Sequence, residues 1–279
     1  MSSSLTPEPV NQAVWSEAIE VARFARARGW IDPSERRLIE GIALERPRAD
    51  ILDIGVGGGR TVPLLAPRAL SYVGIDFVPA LVEAARTRFP TTDIRVGDAR
   101  KLEFADEQFD LVFFSINGLD SIGHGDRAKA LAEIRRVLRP DGEFVFSTHN
   151  YDGPGRADRP WRLPPMTVRQ PRSSARALIR RVVHERRSLA NFRALHGVGE
   201  SGQGWAVETS GAHEFGILVH YISHTLLADE LRSAGFEGPV EIWDDRAGVS
   251  VEPSTASRCW YFNVSAKCSK GPDQVPLTP

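Results

Sequence analysis

A regular alternation between residues 50 and 150 narrows the folds open to this 279-residue chain more than any other feature. The runs ILDIGV, YVGIDF, IRVGD, FDLVFFSI and EFVFSTH are short and apolar, as buried strands are. Stretches of helical character, 78–89 and 126–138, lie between them. In the second, Leu131, Ile134 and Leu138 recur at helical spacing behind Asp126, a good N-cap. Strand and helix in this rhythm predict a mostly parallel, doubly wound α/β sheet with helices on both faces.

The flanks are less regular. Residues 1–11 are polar, lack the charged-then-apolar plan of a secretory signal, and read as a disordered tail. Val14, Ile19, Val21, Ala22 and Phe24 predict a helix over 12–29 that Gly29 ends. A second should run from Pro33 to Leu44 with Asp32 as its cap. After Asn150 the rhythm breaks into the Pro/Gly/Arg-rich YDGPGRADRPWRLPP, a helix from about Ser173 to Leu195, and a glycine-rich joint, 197–204. A hairpin over 205–222 should turn at Ser210–Gly211. The helix LLADELRSAGF and the strands VEIWDD and RCWYFNVSAK then return to the sheet as an antiparallel addition. The expected division is a ligand-binding domain, 12–150 and 220–269, and an Arg-rich lid or substrate insert, 151–219, hinged near Gly153 and Gly197–Gly204.

Composition excludes some classes. The 42% hydrophobic and 25% charged fractions are those of a globular chain, and no run of about 18 apolar residues offers a membrane span. Cys259 and Cys268 share one predicted strand that holds them about 30 Å apart, so they cannot pair within it. A reducing cytoplasm fits. The net charge of -1 hides an asymmetry: residues 156–193 hold eleven arginines and two acids.

The chemistry gathers at the strand ends. Asp53-Ile-Gly55-Val-Gly57-Gly-Gly59 closes the first strand, where glycines let backbone approach a ligand and the next helix offers its N–H groups to an anion. A dinucleotide fingerprint needs a small sixth residue for helix packing, and here that residue is Arg60. Asp53, two residues ahead of the first glycine, suits a ligand carrying an ammonium group. Asp76 ends the next run, 21 residues beyond Gly55, where an acid accepts hydrogen bonds from ribose hydroxyls. Asp98 follows the third strand, within reach of an adenine amino group. Each acid alone also reads as a loop cap. Three at successive strand ends, beside a glycine loop, read as one site.

ILDIGVGGGR, VGIDF, VGDARKLEFADEQFDLVFF and LRPDGEFVFS resemble the successive motifs of class I S-adenosylmethionine (SAM)-dependent methyltransferases. The resemblance covers about 48–150 and 220–268. It implies a Rossmann-like fold and SAM as cofactor, with Asp53 and the backbone of Gly55, Gly57 and Gly59 on the methionyl portion. By the same resemblance Asp76 takes the ribose, Phe77 stacks near the adenine, Asp98 and the Ala99 amide read its edge, and Ser115 lies close to the reacting methyl.

The acceptor is less legible. A hydroxyl acceptor needs a general base, and the candidates are His149 at the end of the fifth strand, then His220 and His224. Each also reads as a structural histidine, and His124 as support for its turn. The motifs of nucleic-acid enzymes are missing: Ser115-Ile-Asn117-Gly stands where amino-directed base methylases resemble one another in Asn/Asp-Pro-Pro-aromatic, and no Pro-Cys nucleophile exists. The leading expectation is an O- or N-methyltransferase acting on a small molecule of specialised metabolism, with some arginines meeting an anionic or carrier-bound acceptor. The alternatives are an RNA methyltransferase that grips its substrate with the Arg-rich insert, and a SAM-binding partner subunit without turnover.

Overall fold

The run Ile51-Leu52-Asp53-Ile54 is buried throughout, and its alternation sends side chains to two different cores. Ile51 packs with Leu38 and Ile39 of one helix layer, while Leu52 and Ile54 join Leu131, Ile134, Leu227 and Leu231 of the other. Both faces are therefore covered, as a parallel sheet requires. A computed structural model describes residues 5–26, 33–114, 116–160, 175–244, 248–256 and 259–269.

Helices α1 (Pro7–Trp15), α2 (Ala18–Arg26) and α3 (Pro33–Glu45) precede β1 (Asp50–Ile54). Then come α4 (Val62–Leu65), β2 (Ser71–Asp76), α5 (Pro79–Arg88), β3 (Asp93–Val96), β4 (Phe109–Phe114), α6 (His124–Val137) and β5 (Leu138–Asn150). The rest of the chain adds α7 (Ala175–Leu195), β6 (Ser201–Gly202), β7 (Trp205–Thr209), β8 (Leu218–Ile222), α8 (His224–Ser233), β9 (Val240–Asp244) and β10 (Tyr261–Lys267). Strands β3-β2-β1-β4-β5 pair in parallel in that order. Beyond them β10 lies antiparallel to both β5 and β9, the antiparallel addition that the tail motifs predict. Chain order runs outward in opposite directions from β1 and β4, which places the switch point of the sheet between them.

Three expectations need correction. Residues 7–11 are not a loose tail: Pro7 opens α1, and the buried Asn11 carboxamide holds Leu218 by both its N–H (2.9 Å) and its carbonyl (2.7 Å). The helix expected over 12–29 breaks at Ser16, whose hydroxyl takes the Gln12 carbonyl (2.7 Å) and closes α1; residues 27–29 lie outside those described. Asp126 is not the cap of α6. That helix starts at His124 behind Gly123, whose amide donates to Glu8 (3.0 Å), and Asp126 falls in its first turn on Arg100 and Lys129.

The insert also divides differently. The predicted hairpin forms, but β8 pairs with β5 through His149–Tyr221 and Asn150–Ile222, so part of 151–219 extends the central sheet. The reason is an open edge. Phe146 is the last β5 residue that β4 reaches, and β5 runs four residues further. Asp32, Ser173 and residues 161–174 lie outside the described residues. Cys259 and Cys268 are buried thiols that flank β10 rather than sitting inside it.

Candidate active site

Asp53 is the next-to-last residue of β1, between the buried Leu52 and Ile54, and its carboxylate is wholly buried. Thr61 Oγ1 (2.5 Å) and Tyr72 Oη (2.7 Å) both donate to Oδ2, while Oδ1 has no partner. Burial pushes its pKa up to about 6, against the pull of Thr61, Tyr72 and the Arg60 charge. An acid held dry with one oxygen unmet suits an ammonium group, which would satisfy it and favour its charged form.

The glycine loop follows. Gly57 sits at φ +54°, a conformation that turns its amide onto Asp76 Oδ2 (2.8 Å). Gly59, at φ +82°, lies so close to the Phe89 ring that a Cβ would come within 2.5 Å of it. Asp76 also accepts from the Val78 amide (2.9 Å), and burial pushes its pKa up to about 6 despite those two donors. Its oxygens thus lock the loop to β2. Each retains a second lone pair for a ribose hydroxyl.

Beyond β2 and β3 a cavity of about 390 Å³ opens, lined by Phe77, Val96, Gly97 and Asp98 from the sheet and by Glu8 and Gln12 of α1. The volume is in the range of a small-ligand pocket. Helix α1 forms its roof: Gln12 Nε2 donates to the Phe77 carbonyl (3.3 Å), and the Trp15 indole meets the Phe77 ring edge-on at 5.8 Å. Asp98 is not bare. Arg100 grips it through Nη2 (2.7 Å) and Nε, and reaches on to Glu8 (3.1 Å) and Asp126 (3.0 Å). Burial raises the pKa of Asp98, but Arg100 outweighs it and holds the carboxyl below its ordinary value. Ala99 is buried behind it. Ser115 lies outside the described residues; beside it, Ile116 and Asn117 both adopt left-handed backbone.

The three histidines part company. His149 Nδ1 stands 2.8 Å from Asp120 Oδ2, with its ring tilted against Tyr221 at 5.2 Å. His220 is fully buried; its Nε2 meets His124 Nδ1 (2.9 Å) and its Nδ1 has no partner. Burial, with the charges of Arg127, His124 and His149, drives the His220 pKa far below the imidazole range. His224 Nε2 is bound to the Val251 carbonyl (2.9 Å) and its ring edge faces Phe262 (5.9 Å). His124, beyond supporting a turn, opens α6 and stacks on Trp205 with centroids 3.5 Å apart. Sequence reading missed Asp120. It lies in the middle of a polar loop rather than at a strand end, and only the fold carries it to His149.

The fold and the acids at its strand ends resemble those of class I SAM-dependent methyltransferases, whose cofactor is SAM. Residues 52–146 match the methyltransferase domain family. Demethylmenaquinone methyltransferase of Renibacterium salmoninarum is 33% identical over 139 residues, covering 49% of this chain and 55% of that one. Malonyl-[acyl-carrier protein] O-methyltransferase of Serratia marcescens is 30% identical over 145 residues, covering 50% and 55%. The chain thus spans a little over half the length of these relatives. The Burkholderia thailandensis 1,6-didemethyltoxoflavin-N1-methyltransferase, solved with that molecule and S-adenosylhomocysteine, shares the fold with a TM-score of 0.56 at 17% identity, over 97% of this chain and 94% of that one. Among the described residues no helix is long and apolar enough to cross a membrane.

Proposed function

We propose that this chain transfers the methyl group of SAM to an oxygen or nitrogen atom of a small molecule. The observation that carries the reading is Asp53: a buried carboxylate with one oxygen unmet, at the head of a glycine loop that Asp76 holds in shape. Asp53 would take the ammonium of the methionyl portion, Asp76 the ribose hydroxyls, and the cavity at Phe77 and Asp98 the adenine. When bound, SAM supplies a methyl carbon already activated by a sulfonium. The remaining work of the protein is to align the acceptor and exclude water.

Two of the insert's eleven arginines count against an RNA grip, because acids of the protein itself meet their charge. Arg156 is paired with Glu208 (2.8 Å), and Arg187 with Glu17 (2.8 Å) and Glu214 (3.3 Å). Charges spent on internal partners are not free to neutralise phosphates, nor to meet an anionic acceptor. The relatives act on acceptors as different as a demethylmenaquinone and a malonyl-carrier protein, so their names do not transfer a substrate.

Calorimetry with SAM, followed by incubation with labelled SAM and a small-molecule panel, tests the proposal. Binding together with S-adenosylhomocysteine release supports it. Binding without release on any acceptor favours a silent partner subunit, and salt-dependent RNA binding with methylation of RNA would replace the small-molecule reading.

A further inference from the structure

The end of β5 carries a second arrangement that the cofactor chemistry does not use. Thr148 and His149 are consecutive strand residues whose side chains point to opposite faces. Asp120 touches both, because its short 3-10 helix (Gly118–Ser121) closes over the edge that β4 leaves open. Thr148 Oγ1 donates to Oδ1 (2.5 Å), and both the His149 amide (2.6 Å) and Nδ1 (2.8 Å) reach Oδ2. Arg127 Nη1 adds a fourth donor (3.2 Å) to Oδ1. Arg127 is itself fully buried, and its other nitrogens, Nε and Nη2, hold the two oxygens of Glu230 at 3.0 Å each.

These contacts fix the hydrogen on His149. Three donors that do not depend on the ring, Thr148 Oγ1, the His149 amide and the cationic Arg127 Nη1, already converge on Asp120, so both its oxygens accept. The imidazole must then carry its hydrogen on Nδ1, which leaves the Nε2 lone pair free in the neutral ring. The side chain is 17% exposed, so the ring is neither sealed in nor loose on the surface.

Its position is across the switch point of the sheet from the three acids. Asp53 is the next-to-last residue of β1, Asp76 the last of β2, and Asp98 follows β3, all on one side of the switch point; His149 is the next-to-last residue of β5 on the other. An aromatic wall connects the halves. Tyr221 stands beside His149, packs in one apolar cluster with Trp15, and Trp15 meets Phe77 in the adenine cavity.

We propose that His149, oriented by Asp120, is the general base of the reaction, and that the acceptor is therefore a hydroxyl or ring N–H that must lose a proton when methylated. The inference rests on the reading of the chain as a SAM-dependent methyltransferase. In the step, the acceptor's O–H or N–H bond breaks and its electron pair forms the new bond to the methyl carbon. The methyl–sulfur pair stays on sulfur, which becomes a neutral thioether, and the proton passes to His149 Nε2 and then to solvent. His149 is the catalytic residue and Asp120 a positioning residue.

Nitrogen NMR of the histidine rings, with His149 assigned by its loss in His149→Gln, reads the tautomer and its titration. The groups facing this ring are Asp120 with Arg127 behind it, Tyr221 and His220 of β8, and Tyr261 opposite on β10. The expected result is Nδ1–H with bare Nε2 in the parent, and loss of that tautomer preference in Asp120→Asn, whose amide can also donate. Methyl incorporation from labelled SAM into a panel of phenols and heteroaryl N–H compounds should rise with pH through the His149 titration. It should fall at least a hundredfold in His149→Gln and Asp120→Asn, with SAM affinity within threefold of the parent. If Asp120→Asn does not fold, His149→Gln, which keeps the Thr148 and Arg127 contacts, carries the test. A bare Nδ1, a tautomer indifferent to Asp120→Asn, or full turnover in His149→Gln overturns the proposal. So does a SAM-binding protein that methylates no panel member. Failure to bind SAM overturns the underlying reading instead.

Discussion

SAM affinity should depend on pH in a way set by Asp53. Its pKa stands at about 6 because burial disfavours its charge. An ammonium group brought to its unmet oxygen binds the carboxylate, not the acid. At a pKa of about 6, roughly nine-tenths of Asp53 is ionised at pH 7 and about one-tenth at pH 5. Affinity should therefore fall about tenfold from pH 7 to pH 5, a loss of about 1.4 kcal/mol. Binding at pH 5 should release close to one proton, and at pH 7 almost none. The window must stop at 7, since an α-amino group begins to lose its own charge at roughly 7.7–8. Calorimetry in two buffers of different ionisation enthalpy measures both the affinity and the proton count. Asp53→Asn should bind weakly and without this slope; any slope it retains belongs to Asp76, which titrates in the same range. The sign for the free protein is the reverse. With a carboxyl pKa raised above its unfolded value of 3.8, stability from this site is greatest in acid and falls as pH rises from about 4 to about 6. A SAM affinity that is flat between pH 5 and 7 would refute the assignment of Asp53 to the ammonium.

Other expectations follow from single contacts. Asp76→Ala frees the Gly57 amide and removes charge-assisted bonds of roughly 1.5–3 kcal/mol each. Calorimetry on the folded variant should show SAM bound at least tenfold more weakly, and unchanged affinity would remove Asp76 from the ribose. Gly59→Ala places a methyl against the Phe89 ring at a left-handed φ and should cost roughly 1–3 kcal/mol in denaturant unfolding; a neutral effect would mean the loop relaxes freely. Arg127→Met leaves the buried Asp120 and the partly buried Glu230 without a counter-charge and should destabilise by about 3–5 kcal/mol. A melting temperature within about 2 °C of the parent would show that the three charges do not act as a unit.

What could be read beforehand follows from how local each signal is. The strands from Ile51 to Phe146 announce themselves by apolar runs, because a strand buried on both faces has no polar side to vary. The acids Asp53, Asp76 and Asp98 are legible for the same reason: each interrupts or ends such a run. The role of α1 was not legible, since Pro7–Trp15 is short and polar and owes its order to Asn11 meeting Leu218 some 200 residues away. Asp120 is the same case. Nothing local distinguishes Gly-Leu-Asp-Ser from any other turn, and its meaning depends on Thr148, His149 and Arg127 arriving around it. The boundary of the insert was misplaced because an open strand edge is a property of the sheet, invisible in the residues that come to fill it.

The four residues by which β5 outruns β4 divide the molecule's labour along the chain. Asp53 through Asp98, the residues proposed to hold the cofactor, lie within the segment 52–146 that matches the methyltransferase domain family. His149, Tyr221 and Trp15 all lie outside it. A chimera that keeps residues 50–146 and exchanges the flanking chain would inherit one ligand specificity and import the other. The overhang of β5 is the seam where such a graft would have to be joined, because it is where β8 pairs with the strand.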